Sequence, residues 1–84
     1  MLFRSSEDKS LFDVLRVMRK QLADEHGLPP YVIFHDATLR DMAQQRPATL
    51  NEFARIRGVG EAKLSRYGER FIDAIRQHPQ QIDR

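Results

Sequence analysis

Apolar residues return at helical intervals through most of this chain, and the places where the rhythm breaks divide it into segments. Leu11, Leu15, Met18 and Leu22 recur at steps of four, three and four, with Phe12 and Val14 widening the stripe. That spacing predicts an amphipathic helix. Ser5 or Ser6 can cap it, and Glu7 and Asp8 fall in the first turn, where the helix dipole favours negative charge. Arg16, Arg19 and Lys20 lie off the stripe and read as a solvated face, with Asp13 and Asp24 placed to pair with them. The helix should stop near Gly27.

Pro29-Pro30 forbids continuation of that helix and sets an extended entry into Tyr31-Val32-Ile33-Phe34. Four apolar residues in a row can be a buried strand, but no second segment offers a pairing partner. A short helical turn plugging the core is the better reading. Not all four can face inward. Tyr31 tolerates the surface best, because its hydroxyl stays wet while its ring offers a stacking face. Asp36 then reads as an N-cap, and Leu39, Met42 and Ala43 give a short helix to about Gln45, closed by Pro47. Thr49 and Glu52 form a capping box ahead of Leu50, Phe53 and Ile56, a further helix expected to run to Gly58. The last helix carries Leu64, Phe71, Ile72 and Ile75 on one face. Gly68 falls on that same face, which implies either a closely packed neighbour or a kink. The sum is an all-α bundle of four to five helices.

Gly58-Val59-Gly60 reads as a tight hairpin of helix-hairpin-helix type between the last two helices. Glycine reaches positive φ at little steric cost and leaves the backbone open to close approach. The helix that starts there directs its first unpaired N–H groups outward, a seat suited to a phosphate. Arg55, Arg57, Lys63, Arg66 and Arg70 surround it. An ordinary helix turn with a solvated basic face would read the same way. Net charge is only +2, but its distribution is uneven: residues 1–54 hold seven Lys/Arg against eight Asp/Glu, and residues 55–84 hold seven against four. One-sided charge of this kind is what an electrostatic footprint on nucleic acid needs.

The remaining composition mostly excludes. There is no cysteine, so neither a disulfide framework nor a zinc-thiolate site is available. His26, His35 and His78 lack the spacing of a metal site, no phosphate-binding loop with its lysine is present, and carboxylates are dispersed. No catalytic residue, metal or cofactor is therefore expected. Eighty-four residues suffice for one small core. No apolar run is long enough to cross a bilayer and no signal pattern opens the chain, so the expected setting is cytoplasmic, with no membrane partner.

Leu28-Pro-Pro-Tyr-Val-Ile-Phe-His-Asp-Ala-Thr-Leu39, Met42-Ala43, Gly58-Val-Gly60, Lys63-Leu64 and Tyr67-Gly68 together closely resemble the HRDC domain, the helicase-and-RNase-D C-terminal module, in its RecQ-helicase version. The resemblance implies a compact helical domain over residues 8–78, with residues 1–7 as lead-in and 79–84 as a flexible tail. It implies a fragment of a bacterial ATP-dependent DNA helicase acting in recombination and repair at the nucleoid, whose motor lies elsewhere. The module would be a monomer when isolated. Its partners would be single-stranded or branched DNA and the remainder of the helicase. Two contact positions of the family fall on Tyr31 and Lys63, and Arg55, Arg57, Gly58, Gly60 and Arg66 complete the expected nucleic-acid surface. Some members of the family serve protein contacts instead, docking on the helicase core or a repair factor. The RNase D branch of the fold would prefer RNA.

Overall fold

The computed structural model describes residues 6–78, with no strand among them, as five helices: α1 (Ser6–His26), α2 (Pro30–Ile33), α3 (Asp36–Gln45), α4 (Leu50–Phe53) and α5 (Glu61–Gln77). Most of the expected lead-in, the Ser5 cap and the expected tail lie outside the described residues. The all-α bundle and the short turn at residues 30–33 are as expected; of the four longer helices expected, three form and the one after Thr49 is a single turn. Helix α1 packs against α2, α3 and α5, and α4 packs on α5.

On α1 the stripe of Leu11, Leu15 and Leu22 is buried as expected, and Met18 is half-buried. Two assignments change. Val14 is exposed, and Arg19 is buried rather than solvated. The reason is positional: Arg19 comes four residues after Leu15 and three before Leu22, so it points where they point. Its guanidinium is made tolerable there by donating from Nη1 to the Phe34 carbonyl at 2.9 Å and pairing with the Asp36 carboxylate at 2.7 Å. Asp24 pairs with Lys20 at 3.3 Å as the spacing suggests, whereas Asp13 pairs with Lys9, also at 3.3 Å. The helix closes at Gly27, whose φ of 66° lets the Leu28 N–H reach back to the Ala23 carbonyl at 2.9 Å.

The N-cap of α3 is His35, with Asp36 as the first helical residue, one position away from the expected cap. Asp36 does not cap because Arg19 holds its carboxylate. At the other end, Arg46 takes a left-handed φ of 49° and Pro47 prevents continuation. The largely buried Arg46 side chain, 15% exposed, gathers three helix ends. It donates to the His78 carbonyl at 3.0 Å and pairs with Asp8 at 3.8 Å.

The capping box at α4 forms: the Glu52 N–H donates to Thr49 Oγ1 at 3.1 Å, while the Glu52 carboxylate accepts from the Ala48 N–H at 2.8 Å. The helix does not run on to the glycines. Beyond Phe53 the chain winds in tighter turns, with the Arg55, Ile56 and Val59 N–H groups each bonding three residues back. Such turns eclipse residues three apart, and this places Ile56 in the core beside Phe53. Gly68 marks close packing rather than a kink, since α5 is continuous through it. A Cβ there would lie 3.0 Å from Leu50 Cδ2 and 3.2 Å from Leu64 Cδ1.

The centre of the core is aromatic. Phe34 meets Phe71 edge to face at 5.2 Å, and Phe53 and Tyr67 at 6.1 Å each. One ring thereby ties the end of α2 to α4 and α5. Truncating such a residue costs about 3–5 kcal/mol, so the position of the α2 turn is set by the core.

Candidate nucleic-acid interface

Pro29 in extended conformation and Pro30 at the first helical position start α2 without needing the N–H groups that proline lacks. A single turn cannot bury every apolar side chain it carries. Ile33 and Phe34 go inward and Tyr31 goes out, with 60% of its surface exposed. The Tyr31 ring stacks on His35, centroids 6.2 Å apart with 27° between planes. The turn that carries Tyr31 is closed by the Phe34 N–H donating to the Pro30 carbonyl at 3.4 Å, and the Phe34 carbonyl in turn accepts from buried Arg19.

Lys63 reaches the same corner from α5. Its Nζ lies 5.7 Å from the centroid of the Phe34 ring, so its stem is half-buried and its charge rests over an aromatic face. Cation–π contact of this kind contributes about 0.5–2 kcal/mol. Lys63 thus lies over the residue that ends the turn on which Tyr31 is exposed. Arg66, three residues further along α5, shares the Lys63 side of that helix; it is exposed and makes no ion pair among the described residues.

The hairpin divides its two glycines by role. Gly58 has φ of 92°, and a Cβ on it would collide with Thr38 Oγ1, whose hydroxyl donates to the Arg57 carbonyl at 3.0 Å. Gly60 is the N-cap of α5 with an ordinary φ of −84°, and a Cβ there would meet nothing within 4 Å. Geometry requires the first glycine and leaves the second open to solvent. No side chain caps α5, so its first N–H groups face outward, although Glu61 places a carboxylate in that first turn. Val59 between the glycines packs on the core.

The other cations are spread apart. Arg57 is exposed but pairs with Asp41 at 3.6 Å, and Arg70 pairs with Glu25 at 3.5 Å. Arg55 lines a separate shallow hollow with Gln45, Pro47 and Glu52. The structure thus sets Tyr31 on the α2 turn and Lys63 over the Phe34 ring that follows it, with Arg66 further along α5, and leaves Arg55 and Arg57 beside acidic neighbours. Sequence reasoning missed His35 as the ring stacked on Tyr31 and Arg19 as the anchor of the Phe34 carbonyl. The four-and-three spacing of Arg19 from Leu15 and Leu22 was the available signal.

The Asp36 carboxyl is held below the usual carboxylate range, first by its hydrogen bond from Arg19, which outweighs the opposing effect of burial, and then by the charges of Arg19, Arg16 and Arg40. No group of three His, Asp or Glu able to hold a metal occurs among the described residues. No helix among them is long and apolar enough to cross a membrane.

The fold defines a small all-helical domain with an exposed aromatic ring on its α2 turn. Comparison with known proteins makes the class specific. The HRDC domain family matches residues 8–75, and the chain belongs to that family. It is 49% identical over 71 residues to the ATP-dependent DNA helicase RecQ of Haemophilus influenzae, covering 84% of this chain and 12% of that protein. It is 40% identical over 78 residues to RecQ of Bacillus subtilis, covering 93% of this chain and 13% of that protein. The solved HRDC domain 3 of D. radiodurans RecQ superposes with a TM-score of 0.81 at 40% identity, covering 83% of this chain and 92% of that domain. The chain spans about an eighth of the length of the RecQ relatives it matches.

Proposed function

We propose that this domain, taken as residues 8–78, is the accessory DNA-binding module of a RecQ-type ATP-dependent helicase in the bacterial cytoplasm. It binds single-stranded or branched DNA weakly and so tunes which substrates the motor engages in recombination and repair. The observation that carries the reading is the exposed Tyr31 ring on a core-anchored turn, with Lys63 seated over the ring of Phe34, which ends that turn. An unpaired base stacks on Tyr31, a contact of about 1–3 kcal/mol. Lys63 and Arg66 neutralise phosphates on either side, and the strand passes the open Gly60 and the first amides of α5. Arg55 and Arg57 contribute only where an incoming phosphate displaces Glu52 or Asp41.

Fluorescence anisotropy with labelled oligo-dT tests this. The expected result is micromolar binding that weakens steeply with salt and falls in both Tyr31→Ala and Lys63→Ala. Binding indifferent to both substitutions would reject the surface. Absence of binding at low salt, with capture of the helicase core by the domain, would assign it to protein docking instead. Preference for poly-U over oligo-dT would assign it to RNA.

A further inference from the structure

A second concave surface lies between α1 and the start of α2, formed by Asp13, Arg16, Val17, Arg19, Lys20 and Pro30 and enclosing about 320 Å³. Asp13, Arg16, Val17 and Lys20 sit at helical intervals, so they are one continuous stripe of α1. Val17 is 58% exposed, and Val14, one turn earlier, is 41% exposed. Two aliphatic side chains therefore stand in water on a helix that otherwise shows charge to solvent.

The charges around them are unequal. Arg19 is spent on the Phe34 carbonyl and Asp36, and Asp13 is taken up by Lys9. Arg16 makes no ion pair among the described residues and lies 5.8 Å from the centroid of the half-buried Phe12 ring. Lys20 is shared with Asp24 in an exposed pair at 3.3 Å, a contact weak enough to exchange for a better one. Two cations thus stand at the rim of an aliphatic floor, Arg16 within reach of the Asp36 charge and Lys20 beside Asp24, with the lining carboxylate Asp13 held by Lys9. A nucleic acid strand fits this poorly, because bases need aromatic platforms and none of the six lining residues is aromatic. An acidic polypeptide fits it on both counts, since apolar contact supplies affinity and rim charge supplies orientation.

We propose that this groove docks an acidic peptide segment bearing an apolar side chain, which lies on Val17 and Pro30 while its carboxylates reach Arg16 and Lys20. The groove does not include Tyr31, Lys63 or Arg66, although Pro30 and Arg19 adjoin the α2 turn, so substitutions on α1 distinguish the two surfaces.

The test is anisotropy of a fluorescein-labelled peptide, Glu-Asp-Leu-Phe-Asp-Glu, titrated with the 84-residue chain. Saturable micromolar binding is expected, weakened about tenfold by Arg16→Glu and by Val17→Asp, as for loss of a central contact. It should be unchanged by Arg66→Glu and absent for peptides with serine replacing leucine and phenylalanine. Both α1 substitutions fall on exposed positions, and circular dichroism checks that helicity is retained. Oligo-dT binding should persist in both. Four results would overturn the proposal: no peptide binding, peptide binding indifferent to both substitutions, oligo-dT binding lost in step with peptide binding, or sedimentation showing a dimer that Val17→Asp dissociates.

Discussion

Replacing Gly58 by alanine isolates the strain at the centre of the hairpin. At φ of 92° a Cβ is disfavoured by the backbone itself, at about 1–2 kcal/mol. The new methyl also overlaps Thr38 Oγ1, so Thr38 must turn away and give up its bond to the Arg57 carbonyl, a loss of about 0.5–1.5 kcal/mol. The two effects together remove about 2–3 kcal/mol, a large share of the roughly 4–13 kcal/mol that a chain of this length holds. Urea unfolding followed by circular dichroism should show a lower midpoint at unchanged slope. Thr38→Ala alone should cost about 1 kcal/mol, because it forfeits the same bond without adding the methyl. It also clears the space, since the nearest remaining atom, Thr38 Cβ, is 3.4 Å from the Gly58 Cβ position. The double variant should then be about 1 kcal/mol more stable than the sum of the single losses. Strict additivity would refute the steric argument and leave only the backbone effect. Gly60→Ala is the control: with open space around it, the expected loss is under about 1 kcal/mol.

Gly68→Ala should fall within about 1 kcal/mol of wild type in the same assay, because the gain in helix propensity offsets contact with two mobile leucine termini, one on half-exposed Leu50. Gly68→Val, which adds branched bulk, should lose about 1–3 kcal/mol. Arg19→Met should cost about 2–3 kcal/mol by leaving the buried Phe34 carbonyl without its donor. Asp36 is ionised in the folded state to lower pH than in the unfolded chain, so its contribution is complete above about pH 4 and is lost as pH falls through the depressed folded value. Asp36→Asn should flatten the acid side of the urea-midpoint profile; an unchanged profile would show that the Arg19 pair carries no pH dependence.

The long helices were legible because their apolar residues repeat with a clean period, and the exposure of Tyr31 followed from counting what one turn can bury. The burial of Arg19 was not, since its partners are a carbonyl and a carboxylate fifteen and seventeen residues away and the charge suggested solvent. Asp36 carried every mark of an N-cap, yet the same arginine claimed its carboxylate and moved the cap to His35. The helix expected after Thr49 broke because Phe53 and Ile56 must both reach the core, which three-residue turns allow at that spacing. Both glycines of the hairpin looked alike in the sequence. Only Thr38, brought in from α3, distinguishes the one that sterics require from the one that is free.

The central claim is that one corner of the bundle, at α2 and the start of α5, holds the strand. Titrating isotope-labelled domain with oligo-dT while recording amide shifts tests it most directly. Shifts concentrated at Tyr31, His35 and Gly60 to Arg66 are the expected result. Shifts confined to the α1 groove or to the Arg46 end of the bundle, with Tyr31 and Lys63 silent, would contradict it.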